Sequence, residues 1–522
     1  MIGRITALLL AFAPLQATAQ IPEDASVLPR GRLRVSFDPQ RLFWDHRLTV
    51  DGQRERWSTD FEQDPFGAFA IPSLVTHESA IRSLTGLSAF QLSLGASTLN
   101  AEADMRWTPL RVELGVTNRL TLGIGIPIVK TRVRAEFSLD TAVATVGWNP
   151  TLPQAGDAAG LAAYEALFAQ LSLAIATLDA NIQGGQYGCP ISPECAAAQD
   201  LLLRARAFES ELAALVWGAG GAAPSPFLPL ARTEAAAALI GVVAGFQTEL
   251  AALGVTGFTQ APAFPADPLS TAAFQGFLGE PAFGIESIQL LGVQRWGLGD
   301  AEVRAKYLLL DKPPFRTAVT GVLRLPTATL DDPDHFFDLP SGDHQLDLEG
   351  RVHLDVRPLP ELAASLSVRY VHQFPATLVR RVTPHDRPIG DLTTRRDVER
   401  TLGDILEIQF VPSMFLAPQL DVFLMGSYRT KAEDRVTEAG EAPAGAPFEA
   451  GVLALDTRET VWRVGGGMRY RPSRALETGI TYLSTMRGDG GLTPESSYAA
   501  ISVRLHFWLF GRPAPEAPPP PP

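Results

Sequence analysis

The chain has 522 residues, 46% of them hydrophobic and 19% charged, with a formal net charge of −13 at pH 7. That charge argues against a nucleic-acid binder, because an acidic chain is repelled by phosphates. Beyond the N-terminus no segment offers ~18 consecutive apolar residues, which argues against a helical membrane protein.

The first element is an export signal. Arg4 precedes an apolar run from Ile5 to Ala13, and Ala17-Thr18-Ala19 has the small-x-small pattern that signal peptidase reads, so residues 1–19 are expected to be removed. The run is too short for an anchor, since a spanning helix needs roughly 20 residues. In an exported chain, the neighbouring pair Cys189 and Cys195 suits a local disulfide better than a metal site, which needs more ligands.

Residues 20–137 are expected to hold an N-terminal segment and the first strands. Gly31 to Phe37 sets Leu33, Val35 and Phe37 against Arg32, Arg34 and Ser36, with 87–97 as a competing first strand. From about residue 104 onward, Leu110, Val112, Leu114 and Val116 oppose Arg111, Glu113 and Gly115, followed by the turn Thr117-Asn118-Arg119.

Residues 138–297 change character and read as an Ala-rich helical insertion. Leu161, Tyr164, Leu167, Leu171, Ile175, Leu178 and Ile182 recur at helical spacing behind a capping Asp157. Ser192-Pro193-Glu194 opens a second helix carrying Leu201, Phe208, Leu212 and Leu215. A third, over about 232–253, carries Leu239, Val243, Phe246, Leu250 and Leu253. The cysteines bracket the turn between the first two helices, where a disulfide staples the hairpin tip.

Over 298–510 the period-two pattern returns. Leu346, Leu348, Gly350, Val352, Leu354 and Val356 alternate with Asp347, Glu349, Arg351, His353, Asp355 and Arg357, giving one uncharged and one wholly charged face. Similar segments run through 301–309, 316–325, 361–372, 418–429, 459–470, 475–485 and 498–510. Many approach the ~9–11 residues that a tilted strand needs to cross a membrane. Short connections (311–314, 357–360, 412–418, 471–474) alternate with long ones (136–297, 326–344, 375–400, 430–456, 487–496), which places short turns in the periplasm and long loops outside. The tail 511–522 ends in Pro518 to Pro522, an extended periplasmic spacer.

The fold expected is therefore an all-β transmembrane protein, an antiparallel outer-membrane β-barrel of about 12 strands, with a mostly helical insertion capping its extracellular mouth. The charged faces are then lumen-facing: Arg111, Glu113, Glu302, Arg304, Lys306, Asp347, Glu349, Arg351, Asp355, Arg463, Arg469, Glu477 and Arg504. Its surroundings are outer-membrane lipids and lipopolysaccharide, and its insertion falls to the barrel-assembly machinery.

Three patches carry a family resemblance: Leu298-Gly299-Asp300-Ala301-Glu302-Val303-Arg304-Ala305-Lys306-Tyr307, Leu323-Arg324-Leu325-Pro326-Thr327, and Ser341-Gly342-Asp343-His344-Gln345-Leu346-Asp347. With the turn Gly115 to Gly123, they resemble the outer-membrane family named for the MetA pathway of phenol degradation. Ala328 and His344 stand where that family commonly has Gly. The resemblance implies an outer-membrane channel or transporter associated with hydrophobic or aromatic small molecules, without specifying the solute. Two other classes compete: a structural or adhesive surface barrel, and a phospholipase-type hydrolase drawing on His353, His372 or His506 with Ser365, Ser367 or Ser502. No residue is assigned to catalysis, a cofactor or a metal.

Overall fold

A strand with one apolar and one charged face is satisfied only where its two sides meet different media, and a ring of such strands leaves no unpaired edge. The computed structural model describes residues 22–510 apart from 284, 286–288, 385, 386 and 388, so the expected signal peptide and the tail lie outside the described residues. Twelve antiparallel strands form the ring: β1 (Arg32–Phe37, resuming as Gln40–Trp44), β2 (Ala96–Gly115), β3 (Leu120–Asp140), β4 (Val293–Leu298, resuming as Ala301–Lys312), β5 (Phe315–Leu325), β6 (Asp347–Leu359), β7 (Leu362–Gln373), β8 (Ile405–Ala417), β9 (Leu420–Lys431), β10 (Glu459–Ser473), β11 (Leu476–Asp489) and β12 (Ser497–Trp508). β1 closes it by pairing on both sides, Val35 facing Val112 of β2 and Leu505 of β12. The first strand is thus the one expected at 31–37; of the competing segment 87–97, residues 87–95 lie outside the ring and Ala96 and Ser97 begin β2.

The outer surface carries an apolar belt. On β3, Leu122, Ile124, Ile126 and Ile128 point outward, as do Val303, Ala305 and Tyr307 on β4 and Leu348 and Val352 on β6. A closed barrel with such a belt belongs in the outer membrane. β2 and β3 have 20 and 21 residues, well beyond what hydrocarbon requires, and their polarity reverses part-way up. Outward positions change from Ile128 to Lys130, Arg132, Arg134 and Glu136 on β3, and from Leu110 to Arg106, Asp104 and Glu102 on β2. Inward positions change oppositely, from Glu113 and Arg111 to Met105, Ala103, Ala101 and Leu99. Below the switch the outside is lipid; above it the outside is water and the inside is a packed core.

That core joins barrel to cap. Trp44 at the end of β1 meets Trp57 edge-on (6.2 Å between ring centroids), and Trp57 meets Phe337 (5.8 Å). Phe137 of β3 meets Phe274 (5.3 Å), which continues through Phe277 to Phe227. The insertion holds α2 (Ala158–Gln183), α3 (Pro193–Trp217) and α4 (Glu234–Ala252), with the side chains of Asp157, Ser192 and Thr233 accepting from the first-turn amides of Gly160, Cys195 and Ala236. Cys189 and Cys195 are joined by a disulfide.

Two helices carry no expectation from the sequence. One is α1 (Val75–Thr85), which lies between the barrel's N-terminal loop and helices α3 and α4. The other is α5 (Thr271–Gly279), whose Phe274 and Phe277 belong to the aromatic pile. A turn expected over 412–418 falls instead at 418–419, because β8 continues through Pro412 opposite Ala364. Proline has no N–H, and the ladder to β9 is interrupted between Phe410↔Gly426 and Ser413↔Phe423 without a change of register.

Ile124→Arg, within the lipid-facing row, is expected to lower the unfolding free energy in vesicles by about 2–4 kcal/mol, whereas Arg134→Leu higher on β3 stays within about 0.5 kcal/mol. Urea titration followed by tryptophan fluorescence reads both, and equal effects would refute the membrane boundary drawn between Ile128 and Lys130.

Candidate functional site: the barrel interior

Inward positions of β2 and of β4 to β8 build a connected ion network. Arg324 donates to Glu302 (3.0 Å), Asp347 (3.3 Å) and Glu349. Arg369 bridges Glu349 (2.8 Å) and Glu407 (3.1 Å), and Arg351 pairs with Glu349. On the β1–β2 side, Arg34 meets Glu113 (2.6 Å), while Arg111 lies 3.4 Å from Asp38 and 3.9 Å from Glu302. Across the barrel, Asp421 pairs with Arg469 (2.9 Å) and Arg471 (3.1 Å), and Glu477 with Arg471 (3.1 Å) and Arg504 (2.9 Å). Charges buried together with their counter-ions satisfy one another, and removing one member of a pair leaves the other's charge uncompensated.

All thirteen residues expected to face the lumen are buried or half-buried. Ten of them join ion pairs, namely Arg111, Glu113, Glu302, Arg304, Asp347, Glu349, Arg351, Arg469, Glu477 and Arg504, while Lys306 donates to the Asp24 backbone carbonyl. Asp355 accepts from the Ala25 amide, and Arg463 is buried opposite Ser427. The sequence reading omitted several members of the network, including Arg34, Asp38, Arg324, Arg369, Glu407 and Asp421. Arg369 and Asp421 lie on segments already recognised as alternating, so their parity was available.

The larger omission is the segment before β1. Residues 22–30 run up inside the barrel from its short-turn rim. The Arg30 amide donates to Asn118 (3.0 Å), the Leu28 amide to Thr121 Oγ1 (2.8 Å) and the Ala25 amide to Asp355 (2.8 Å). Glu23 then sits between Arg304 (2.8 Å) and Arg351 (3.0 Å). This stretch has no periodicity, and only its Glu23-Asp24 pair hinted at a cationic host.

The three resemblance-bearing patches converge on one carboxylate. β4 breaks at Gly299-Asp300, and Asp300 accepts from the amides of Thr327 (3.0 Å), Ala328 (3.0 Å), Asp343 (3.0 Å) and His344 (3.4 Å). Gly342 is required by closeness, because a Cβ there would lie 2.3 Å from Asp300 Oδ2. Ser341 Oγ donates to the Leu298 carbonyl (2.6 Å), so side chains replace the ladder where β4 is interrupted. The acidic loop that follows β5 is held by arginines: Asp331 by Arg380 (2.8 Å) and Asp334 by Arg381 (2.7 Å) and Arg395 (3.3 Å). Arg400 nearby is pushed down to about 10 by burial and by Arg380, with Asp343, Asp331 and Asp434 opposing.

Of the histidines weighed for hydrolysis, His353 lies between Thr320 Oγ1 (3.0 Å) and Ser367 Oγ (3.2 Å), with Glu23 3.9 Å away. His372 points outward to Asp404 (2.9 Å). His353 is fully buried beneath the N-terminal segment, and the same carboxylate that would orient it is engaged by two arginines.

Glu349→Ala strips a shared partner from Arg324, Arg351 and Arg369. It is expected to destabilise the folded barrel by about 3–5 kcal/mol, and Glu349→Gln by less. Urea midpoints in detergent measure this, and an unshifted Glu349→Ala midpoint would show that the network contributes nothing to the wall.

No family model matches the chain, and no curated protein does. Among solved structures, an outer membrane channel from Pseudomonas putida F1 aligns over 93% of this chain and 99% of its own, at 9% identity and a TM-score of 0.44. The toluene transporter TbuX from Ralstonia pickettii aligns over 92% and 90%, at 8% identity and a TM-score of 0.29. The toluene transporter TodX from Pseudomonas putida aligns over 92% and 89%, at 9% identity and a TM-score of 0.24.

Proposed function

We propose that this barrel is an outer-membrane channel for small hydrophobic or aromatic solutes, held closed in the conformation described here. The observation that carries the reading is the division of its interior. Toward the long-loop rim the interior is a packed apolar core that includes Leu42, Trp44, Met105, Val129, Met425 and Leu483, surroundings that disfavour an ion and suit an apolar solute once the core parts. Beneath it lies the ion network with residues 22–30 lodged inside. An ion-conducting porin would not close its mouth with a packed apolar core. Solute passing that core meets the N-terminal segment, whose side-chain anchor is Glu23. The aromatic preference is what the family resemblance implies, and no single solute is specified by the lining.

Planar-bilayer conductance and liposome uptake of a monoaromatic hydrocarbon test this. Deleting residues 22–29, or Glu23→Ala, is expected to raise conductance several-fold and to speed hydrocarbon uptake. If no variant conducts or takes up solute, the channel reading fails. If deleting 150–285 instead abolishes surface binding and leaves flux unchanged, the cap has an adhesive role. Specific labelling of Ser367 by a serine-reactive probe would point to hydrolysis.

A further inference from the structure

Directly above the apolar belt, cations gather on one part of the outer wall. Arg41 of β1, Arg106 of β2 and Lys130 of β3 face one another in a single cross-strand row, all pointing outward. Arg132 stands one outward position higher on β3. The row continues into outward-facing Trp296 on β4, 78% exposed, paired with Lys130. Like charges directly opposite each other across a ladder are destabilising, so an uncompensated row of them is a cost carried by the sheet. One carboxylate offsets part of it: Asp104, directly across the ladder from Arg132, holds Arg41 (2.8 Å). Higher up, Glu102 lies 3.6 Å from Arg134. Arg106, Lys130 and Arg132 make no ion pair with a described residue, in a chain whose net charge is −13.

Below these cations the lipid-facing wall is hollowed. A groove of about 520 Å³ runs between Leu122, Ile124, Val303, Ala305, Gly321 and Leu323. It exists because β4 and β5 present small residues there: a Cβ built on Gly321 meets nothing within 4 Å. From Ile124 to Lys130 is about 20 Å along a strand at ~3.3 Å per residue, or ~15 Å of depth at the usual strand tilt, which is one leaflet of a ~30 Å hydrocarbon core. Anionic headgroup and acyl chain of one lipid would therefore reach both features at once.

We propose that this face of β1–β5 is a binding site for a phosphorylated, multiply acylated glycolipid of the outer leaflet. Its phosphate lies on Arg106, Lys130 and Arg132, its saccharide lies against Trp296, and one acyl chain fills the groove over Gly321. The proposal rests on the outer-membrane location and on long loops facing outward. It does not depend on solute passage, so a failed flux experiment leaves it standing and its own failure leaves the channel reading intact.

Native mass spectrometry of the purified full chain in detergent tests it, titrating bis-phosphorylated hexa-acyl lipid A, the fully dephosphorylated lipid A and a phosphatidylethanolamine. The wild type is expected to prefer bis-phosphorylated lipid A. The triple variant Arg106→Gln, Lys130→Gln, Arg132→Gln is expected to bind it at least about tenfold more weakly, given what each basic residue contributes at an anionic membrane surface. Gly321→Leu, which touches no charge, fills the groove and should weaken both lipid A forms together. Heat-modifiable gel migration confirms that each variant is a folded barrel. A folded triple variant that binds like the wild type, or a wild type that binds dephosphorylated lipid A equally well, overturns the phosphate site; unchanged lipid A binding by Gly321→Leu overturns the groove.

Discussion

Hydrocarbon offers no partner to a peptide N–H or C=O, and this one constraint organises the molecule. It demands a closed ring, and the ring closes only because β1 pairs with β2 on one side and β12 on the other. β1 starts at the short-turn rim, beside Gly115 and Leu509. The chain before it must therefore either hang away from the barrel or turn up into the lumen. It turns up, because Glu23 finds Arg304 and Arg351 there.

The same constraint explains why so much charge is buried without unfolding the barrel. The alternation that turns apolar side chains to lipid turns every second side chain inward, and a narrow ring brings those side chains within reach of one another. Glu349 shows the result, sharing its two oxygens among Arg324, Arg351 and Arg369. Once the wall rises above the membrane the rule reverses. Lys130 and Arg132 can face outward because water is there, and Val129 and Val133 can face inward because the cap's aromatic pile is there. One strand thus serves two environments with no break in pairing.

What could be read from the sequence followed this periodicity. The strand over 347–359 shows its two faces residue by residue, and its charged face is the side that lies inside. The helices opened by Asp157 and Ser192 carried both a cap and a stripe, and they begin where those signals place them. The upper part of β2, residues 96–103, was missed because its outward positions are already polar and its inward ones, Leu99 apart, are small, so the contrast is weak. Residues 22–30 were missed because a segment held by backbone amides and a single carboxylate leaves no repeating pattern. The interruption at Gly299-Asp300 was visible as a motif, but its meaning depends on amides at 327, 328, 343 and 344 that only the fold brings together.

The cap shows how far hydropathy alone can mislead in such a chain. Helices α2 and α4 are long and apolar enough to cross a membrane by length and composition. Their outer faces argue otherwise: Asp179 on α2 pairs with Arg206 (2.6 Å), and Glu249 on α4 pairs with Arg204 (2.6 Å), all four at least partly in contact with solvent. In hydrocarbon each of those pairs would bear a large desolvation cost, while in water it bears almost none. Much of the helices' apolarity comes from alanine, which favours helix without requiring burial. Their buried leucines and phenylalanines are spent on one another and on the rings that rise from the barrel, so the insertion reads as a cap anchored through its core, with a water-tolerant outside.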